Sequence, residues 1–368
     1  MLNRRNFLLA GAAGFCLSPL SLSAKTETPK LLSCRGDGEG HYFLTGITAS
    51  GTVTFDIQLP GRGHSAVFRP VSSEAVVFAR RPDDFLWVVD ITTGKVVAQV
   101  TAPDERHFYG HGVFDADGRL LYATENDFET GQGVIGVYDA ADGYRRVGEF
   151  PSQGVGPHEL KLLGDGKTLV IANGGIRTHP DLGRRKLNIP EMQPNLAYLD
   201  STSGKLLGRY QPPQKWHKLS IRHLDVQGDT VCIGMQYQGR SAEQLPLVAL
   251  HRGEDELQFV RAPDLIQKRM KNYCGSVCIE TAGETFAVSS PRGNLVTFWS
   301  VSDGRYLDSV DVADGCGVAT GNGGFWLSSG EGELYRQSDD GLVRVPVSGV
   351  VKGGTVRWDN HLSSSIQI

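Results

Sequence analysis

Four stretches of the chain share one wording: VVDITTGK (88–95), VYDAADGY (137–144), YLDSTSGK (198–205) and FWSVSDGR (298–305). In each, an apolar run meets a short polar turn that glycine closes. Glycine suits a turn whose last position takes positive φ. Weaker copies are GITASGTV (46–53), ALHRGEDE (249–256) and YRQSDDGL (335–342). The turn glycines fall at Gly51, Gly94, Gly143, Gly204, Gly253, Gly304 and Gly341, at spacings of 43, 49, 61, 49, 51 and 37. A period of roughly 40–50 residues marks a repeat architecture. Between the turns lie β-rich runs such as AVVFAR, RLLYATEN, KTLVIAN, DTVCIGM and ETFAVSS. Helical periodicity is nearly absent, with Asp264 to Asn272 the best place for a short helix. Four short strands per unit, repeated seven times, predict an all-β, seven-bladed β-propeller. A pair of β-sandwiches would leave so regular a turn unexplained.

The two ends sharpen this expectation. The first unit, Leu31 to Leu59, has room for three strands, and VRWDNHLSSSI (356–366) follows the last turn with no turn of its own. That segment is predicted to complete the first blade as its innermost strand, removing an exposed sheet edge. One irregularity stands out: GGIRTHPDLGRRKLNIPEMQPNL (174–196) interrupts the fourth unit. It is long, cation-rich and not of low complexity, so a functional loop is expected.

The 368 residues carry 46 Gly, 17 Pro and a net charge of −4, a turn-rich globular composition. No basic surface points to nucleic acid or to an anionic membrane. Residues 1–24 read as a twin-arginine export signal: Arg4-Arg5, Asn6-Phe7-Leu8-Leu9, an apolar run to Leu22, then Ser23-Ala24. The run is too short and glycine-rich for a good membrane span, and Phe15 before Cys16 speaks against a lipoprotein. The expectation is therefore a processed periplasmic monomer, residues 25–368, forming one propeller domain. Cys34, Cys232, Cys274, Cys278 and Cys316 remain after processing, an odd number that makes no disulfide framework. Cys274 and Cys278 fall on a β pattern that would place both on one face.

Aligning the units on their turns brings up a column. GRGHSAVF gives His64, YGHGVFDA gives His111, GPHELKLL gives His158, IRHLDVQG gives His223 and WDNHLSSS gives His361. The sixth and seventh units place Ser276 and Cys316 there. Each position lies at or just before an innermost strand, so the column should ring one mouth of the central channel.

Two readings of the column compete. In WD-repeat propellers a blade-opening histidine bonds an Asp of its own blade, and the offsets from His64 to Asp90 and from His111 to Asp139 suit that. Alternatively, the imidazoles face the axis and share a metal, a metal cluster or an anion. Imidazole suits copper, zinc, iron and nickel, and a Cys316 thiolate would favour a softer ion. The metal set is then His64, His111, His158, His223, His361 and Cys316, with iron or copper ahead of zinc. Glu159, Arg222 and Asp359 lie beside column histidines, while His179, Asp181 and Arg184 sit on the long loop, where they could orient a ligand. The sequence contains no G-x-S-x-G, H-E-x-x-H, P-loop or C-x-x-C-H, which disfavours an ordinary hydrolase, a nucleotide cofactor and covalent haem.

The runs RHFYGHGVFDADGRLLYATENDFETGQGVIGVYDA (106–140), GVGPHELKLLGDGKTLVIANGGIRTHPDLGRRKLN (154–188) and LSIRHLD (219–225) closely resemble the bacterial propeller family known as domain of unknown function 1513. The resemblance spans nearly all of the mature chain. It implies twin-arginine export and a gene neighbourhood of imelysin-like and di-haem peroxidase-like partners serving iron uptake. It implies no established activity or ligand. The expected function is metal or metal-complex binding at the histidine-lined mouth. A protein-interaction scaffold with structural histidines, or a periplasmic oxidoreductase or lyase using the same mouth, are the alternatives.

Overall fold

The glycine turns join the third and fourth strands of each blade. In the second blade, Phe85–Asp90 and Lys95–Thr101 pair antiparallel across one of them. The Gly94 N–H donates to the Asp90 carbonyl at 2.8 Å. The Asp90 carboxylate accepts from the backbone N–H groups of Thr92 and Thr93 at 2.9 and 2.8 Å. Gly94 sits at φ +64°, and a Cβ there would lie 2.7 Å from the Cβ of Phe55 on the outer strand of the first blade. Glycine is thus required both by the backbone angle and by contact with the neighbouring blade.

A computed structural model describes residues 28–367; the predicted export signal 1–24, with Cys16, lies outside the described residues. It shows seven four-stranded antiparallel sheets, the expected seven-bladed propeller. The innermost strands, from blade 2 to blade 7, are Gly63–Phe68, Arg106–Phe114, Pro157–Leu162, Leu219–Gln227, Ser276–Ile279 and Gly315–Gly321. Blade 1 is closed by the C-terminal strand Arg357–Ser364, which pairs with Leu31–Gly36 in the register Leu31↔Ser364 and Ser33↔Leu362. That strand also packs against the inner strands of blades 7 and 2, sealing the ring. The short helix appears at Asp264–Arg269.

Apolar side chains fill the gaps between blades. Phe78, Leu86, Phe108, Leu121 and Tyr138 form one such layer between blades 2 and 3. The five described cysteines are buried and unbonded to one another. Cys274 and Cys278 do not share a face. Cys274 lies ahead of its strand and packs toward blade 5, while Cys278 packs toward blade 7.

The WD-type pairing is not formed. Asp90 caps its own turn, Asp139 accepts from the Ala141 N–H at 2.9 Å, and Asp200 accepts from the Ser203 N–H at 2.7 Å. A carboxylate two or three residues from bare turn N–H groups meets them first, whatever lies across the blade.

A candidate metal centre on the propeller axis

The innermost strands do not run straight past the histidine column. Their register breaks between Gly63 and Ala66 around His64, and between Phe108 and Gly112 around His111. It breaks again between Pro157 and Glu159 at His158, between Ile221 and His223, and between Trp358 and Leu362 around His361. A bulge adds a residue to one strand and re-aims the side chains beside it. Five bulges at one height turn five imidazoles inward. The glycine before His111 has its reason here. Gly110 takes φ +106°, and a Cβ on it would lie 2.5 Å from Cδ2 of His64.

The rings close a cycle across blades 1 to 5. Centroids lie 4.4 Å apart for His361–His64, 4.9 Å for His64–His111 and 5.0 Å for His111–His158. The cycle continues with 4.7 Å for His158–His223 and 5.1 Å for His223–His361. All five are buried. One donor nitrogen from each of His64, His111, His158 and His361 lies within 4.8 Å of the others, and His111, Glu159 and His223 form a second such group.

Carboxylates orient two of the rings. Nδ1 of His64 faces Asp359 at 3.0 Å, and Asp359 is held in turn by Nε of Arg62 at 2.6 Å. Nδ1 of His223 faces Glu159 at 3.1 Å, and Glu159 also accepts the Leu224 N–H. A nitrogen against a carboxylate carries the proton, the arrangement found behind metal-bound histidines. This leaves Nε2 of His223 with its lone pair free, whereas Nε2 of His64 faces Nη1 of Arg80 at 2.8 Å. His111 and His361 bring their Nε2 atoms to 3.2 Å, while Nδ1 of His111 is buried without a hydrogen-bond partner. Two nitrogens bound tetrahedrally to one ion at a bond length of ~2.0–2.1 Å would sit about 3.3 Å apart. The observed separation fits two ligands of a shared ion.

Burial first, then the positive charge of neighbouring imidazoles and arginines, lowers the basicity of the whole ring. His64, His111, His158 and His223 are pushed well below the usual histidine range, and His361 falls to about 3. All five are neutral near pH 7, the state a ligand requires.

Two cavities flank the ring. A wide one of about 720 Å³ reaches His111 and His361 and is lined by Glu159, Lys161 and Asp225. There Lys161 pairs with Asp225 at 3.1 Å, and burial raises the Glu159 carboxyl to about 7. On the opposite side, under the long loop, His158 lines a small cavity with Arg80, Arg81 and Arg222. Arg80 lays Nη1 2.8 Å from Nε2 of His64 and is held down to about 10, chiefly by burial.

The remaining expected site residues divide. Glu159 joins the ring, and Arg222 lines the small cavity beside it. Cys316 does not join the ring. Its thiol hydrogen-bonds toward Ser328 and the Trp358 carbonyl inside an apolar layer with Leu31 and Trp326, and burial raises it to about 12. The loop residue His179 faces Glu129 of blade 3 at 3.4 Å rather than the ring, and Asp181 is exposed. Arg184 lines a cavity with Arg80, Arg81 and His107. Sequence reasoning missed Arg80, Arg81, Lys161 and Asp225. A cation ending the apolar strand AVVFAR was the available signal for Arg80.

The fold recurs in a solved structure titled Kuenenia stuttgartiensis hydrazine synthase, with a TM-score of 0.59 and 16% identity over 89% of this chain and 99% of that one. That likeness is one of fold. No curated protein matches the sequence. Residues 57–365 match the family described as protein of unknown function (DUF1513), and the chain belongs to that family.

Proposed function

We propose that the protein binds one first-row transition-metal ion on the propeller axis, with His64, His111, His158 and His361 as ligands. His223, oriented by Glu159, stands as the adjoining donor. The observation that carries this reading is the meeting of the His111 and His361 Nε2 atoms at 3.2 Å within a group of four neutral imidazoles. An all-imidazole set suits copper, zinc, nickel and iron, and the general affinity order makes copper(II) the tightest divalent ion. The wide cavity gives the ion its route, since it opens on His111 and His361.

The cellular setting follows from expectation rather than from geometry. Arg4-Arg5 and the run behind them support export to the periplasm. The family resemblance supports iron as the physiological ion and an accessory role in iron acquisition beside imelysin-like and di-haem peroxidase-like proteins. The test is metal analysis of protein purified from the periplasm, beside the His111→Ala/His158→Ala double variant. About one ion per chain in the wild type and none in the variant is expected. Wild-type protein that stays metal-free on titration with Fe, Cu and Zn would overturn the reading.

A further inference from the structure

The loop-roofed side of the ring gathers positive charge with no carboxylate in the lining of its cavities; Asp359, paired with Arg62, acts on Arg80 from outside them. Arg80 and Arg81 follow the second strand of blade 2, Arg222 precedes His223 in blade 5, and Lys186 comes from the long loop. All four line a cavity of about 60 Å³ that reaches His158. A neighbouring cavity of about 240 Å³ shares Arg80 and Arg81 and adds Arg184. No carboxylate lines either cavity. Among the described residues, none of these five cations forms an ion pair with an acid.

Their existing contacts leave capacity unused. Nε of Arg222 is buried without a hydrogen-bond partner. Among the described residues the Arg81 guanidinium reaches the Gly183 carbonyl alone, at 3.4 Å, and the Lys186 ammonium donates to the Gln238 side chain. Buried donors left unmatched are rare, and like charges crowded together repel. A solvated surface patch would spread these cations apart. Here an inserted loop brings a fourth one in, pinned by Asn188, which accepts the Arg177 N–H at 2.7 Å and donates to the Gly175 carbonyl at 2.9 Å.

We propose that this mouth binds a small polyvalent oxyanion bearing carboxylate or phosphate groups, held by Arg81, Arg222 and Lys186 with Arg80 behind them. The forked guanidinium groups match the paired oxygens of such an ion, and several converging cations favour a polyvalent anion over chloride. The site stands independently of the metal. Its position against His158 would set the anion beside the ring, where it could complete the surroundings of a bound ion.

The test is isothermal titration of chelator-treated full-length protein with inorganic phosphate and, separately, with citrate, each against sodium chloride at matched ionic strength. Saturable binding of either anion is expected, and the stronger one identifies phosphate or carboxylate chemistry. Arg81→Gln and Lys186→Gln should each weaken it at least about ten-fold, while Arg81→Lys should retain more of the affinity than Arg81→Gln. Thermal unfolding in chloride checks that each variant folds. No binding beyond chloride by the wild type, or equal affinity in all folded variants, would overturn the proposal. Metal content is scored separately, so failure here leaves the metal reading standing.

Discussion

The two mouths of the channel are built from the same seven inner strands and differ in charge. The wide mouth carries a matched cation and acid, Lys161 against Asp225, and a second acid, Glu159, against the neutral imidazole of His223. The narrow mouth carries Arg80, Arg81, Arg222 and Lys186 with no acid among its lining residues. The difference arises from position on the strand. Glu159, Lys161 and Asp225 follow their histidines on the inner strands. Arg222 instead precedes His223, Arg80 and Arg81 follow the second strand of blade 2, and Lys186 comes from the loop at 174–196. The histidine ring between them is neutral and shared. One repeat thereby yields two chemically distinct vestibules around one candidate metal centre.

If that division is right, changes on one side should leave the other side alone. The largest expected effect belongs to the shared ring: His111→Ala/His158→Ala should abolish metal uptake, read by metal analysis. Next come the orienting carboxylates. Asp359→Asn should weaken metal binding ~10–100-fold by competition titration. Glu159→Gln, which acts on the adjoining donor His223, should weaken it less and should leave phosphate or citrate binding unchanged. Loss of anion binding in Glu159→Gln would break the comparison. Cys316→Ala should leave metal stoichiometry unchanged, because its thiol points into an apolar layer.

Two smaller effects concern stability. Gly94→Ala should cost about 1–3 kcal/mol, measured by denaturant unfolding, since it meets both positive φ and the Phe55 contact. Metal-free protein should also lose stability on acidification. The folded-state pKa values of the ring are depressed, so below about 6.5 the unfolded chain binds more protons. This contribution is full above that pH and is lost as pH falls toward about 3, the folded value for His361. The slope is up to ~1.4 kcal/mol per pH unit for each histidine. Glu159 acts oppositely: its raised pKa of about 7 gives stability that is lost as pH rises from the ordinary carboxylate range through 7. His361→Asn should flatten the acid limb of a thermal-midpoint profile, and an unchanged limb would contradict the buried neutral ring.

Much of this is legible in the sequence. The turn at VVDITTGK needs a glycine for local reasons, so its recurrence reports the number of blades, and the turnless VRWDNHLSSSI reports the ring closure. The column from His64 to His361 was equally visible, because each histidine follows a blade-closing turn by 13 to 20 residues, at or beside the start of the next innermost strand. The direction of the imidazoles was not legible. The offset from His64 to Asp90 fits a WD-type bond as well as it fits none. Cys316 shares the column but not the ring, since its thiol settles between Ser328 and Trp358.

The chain by itself determined seven blades, their closure and a histidine at the same height in five of them. These follow from short-range turn chemistry and strand periodicity, which any window of about fifty residues contains. Tertiary structure alone decided that the five rings meet on the axis, and that Arg80, Arg222 and Lys186 crowd one mouth. Those outcomes depend on bulges in strands of different blades and on a loop crossing between them. Contacts between residues distant in sequence are set by how the blades pack, and no local pattern encodes them.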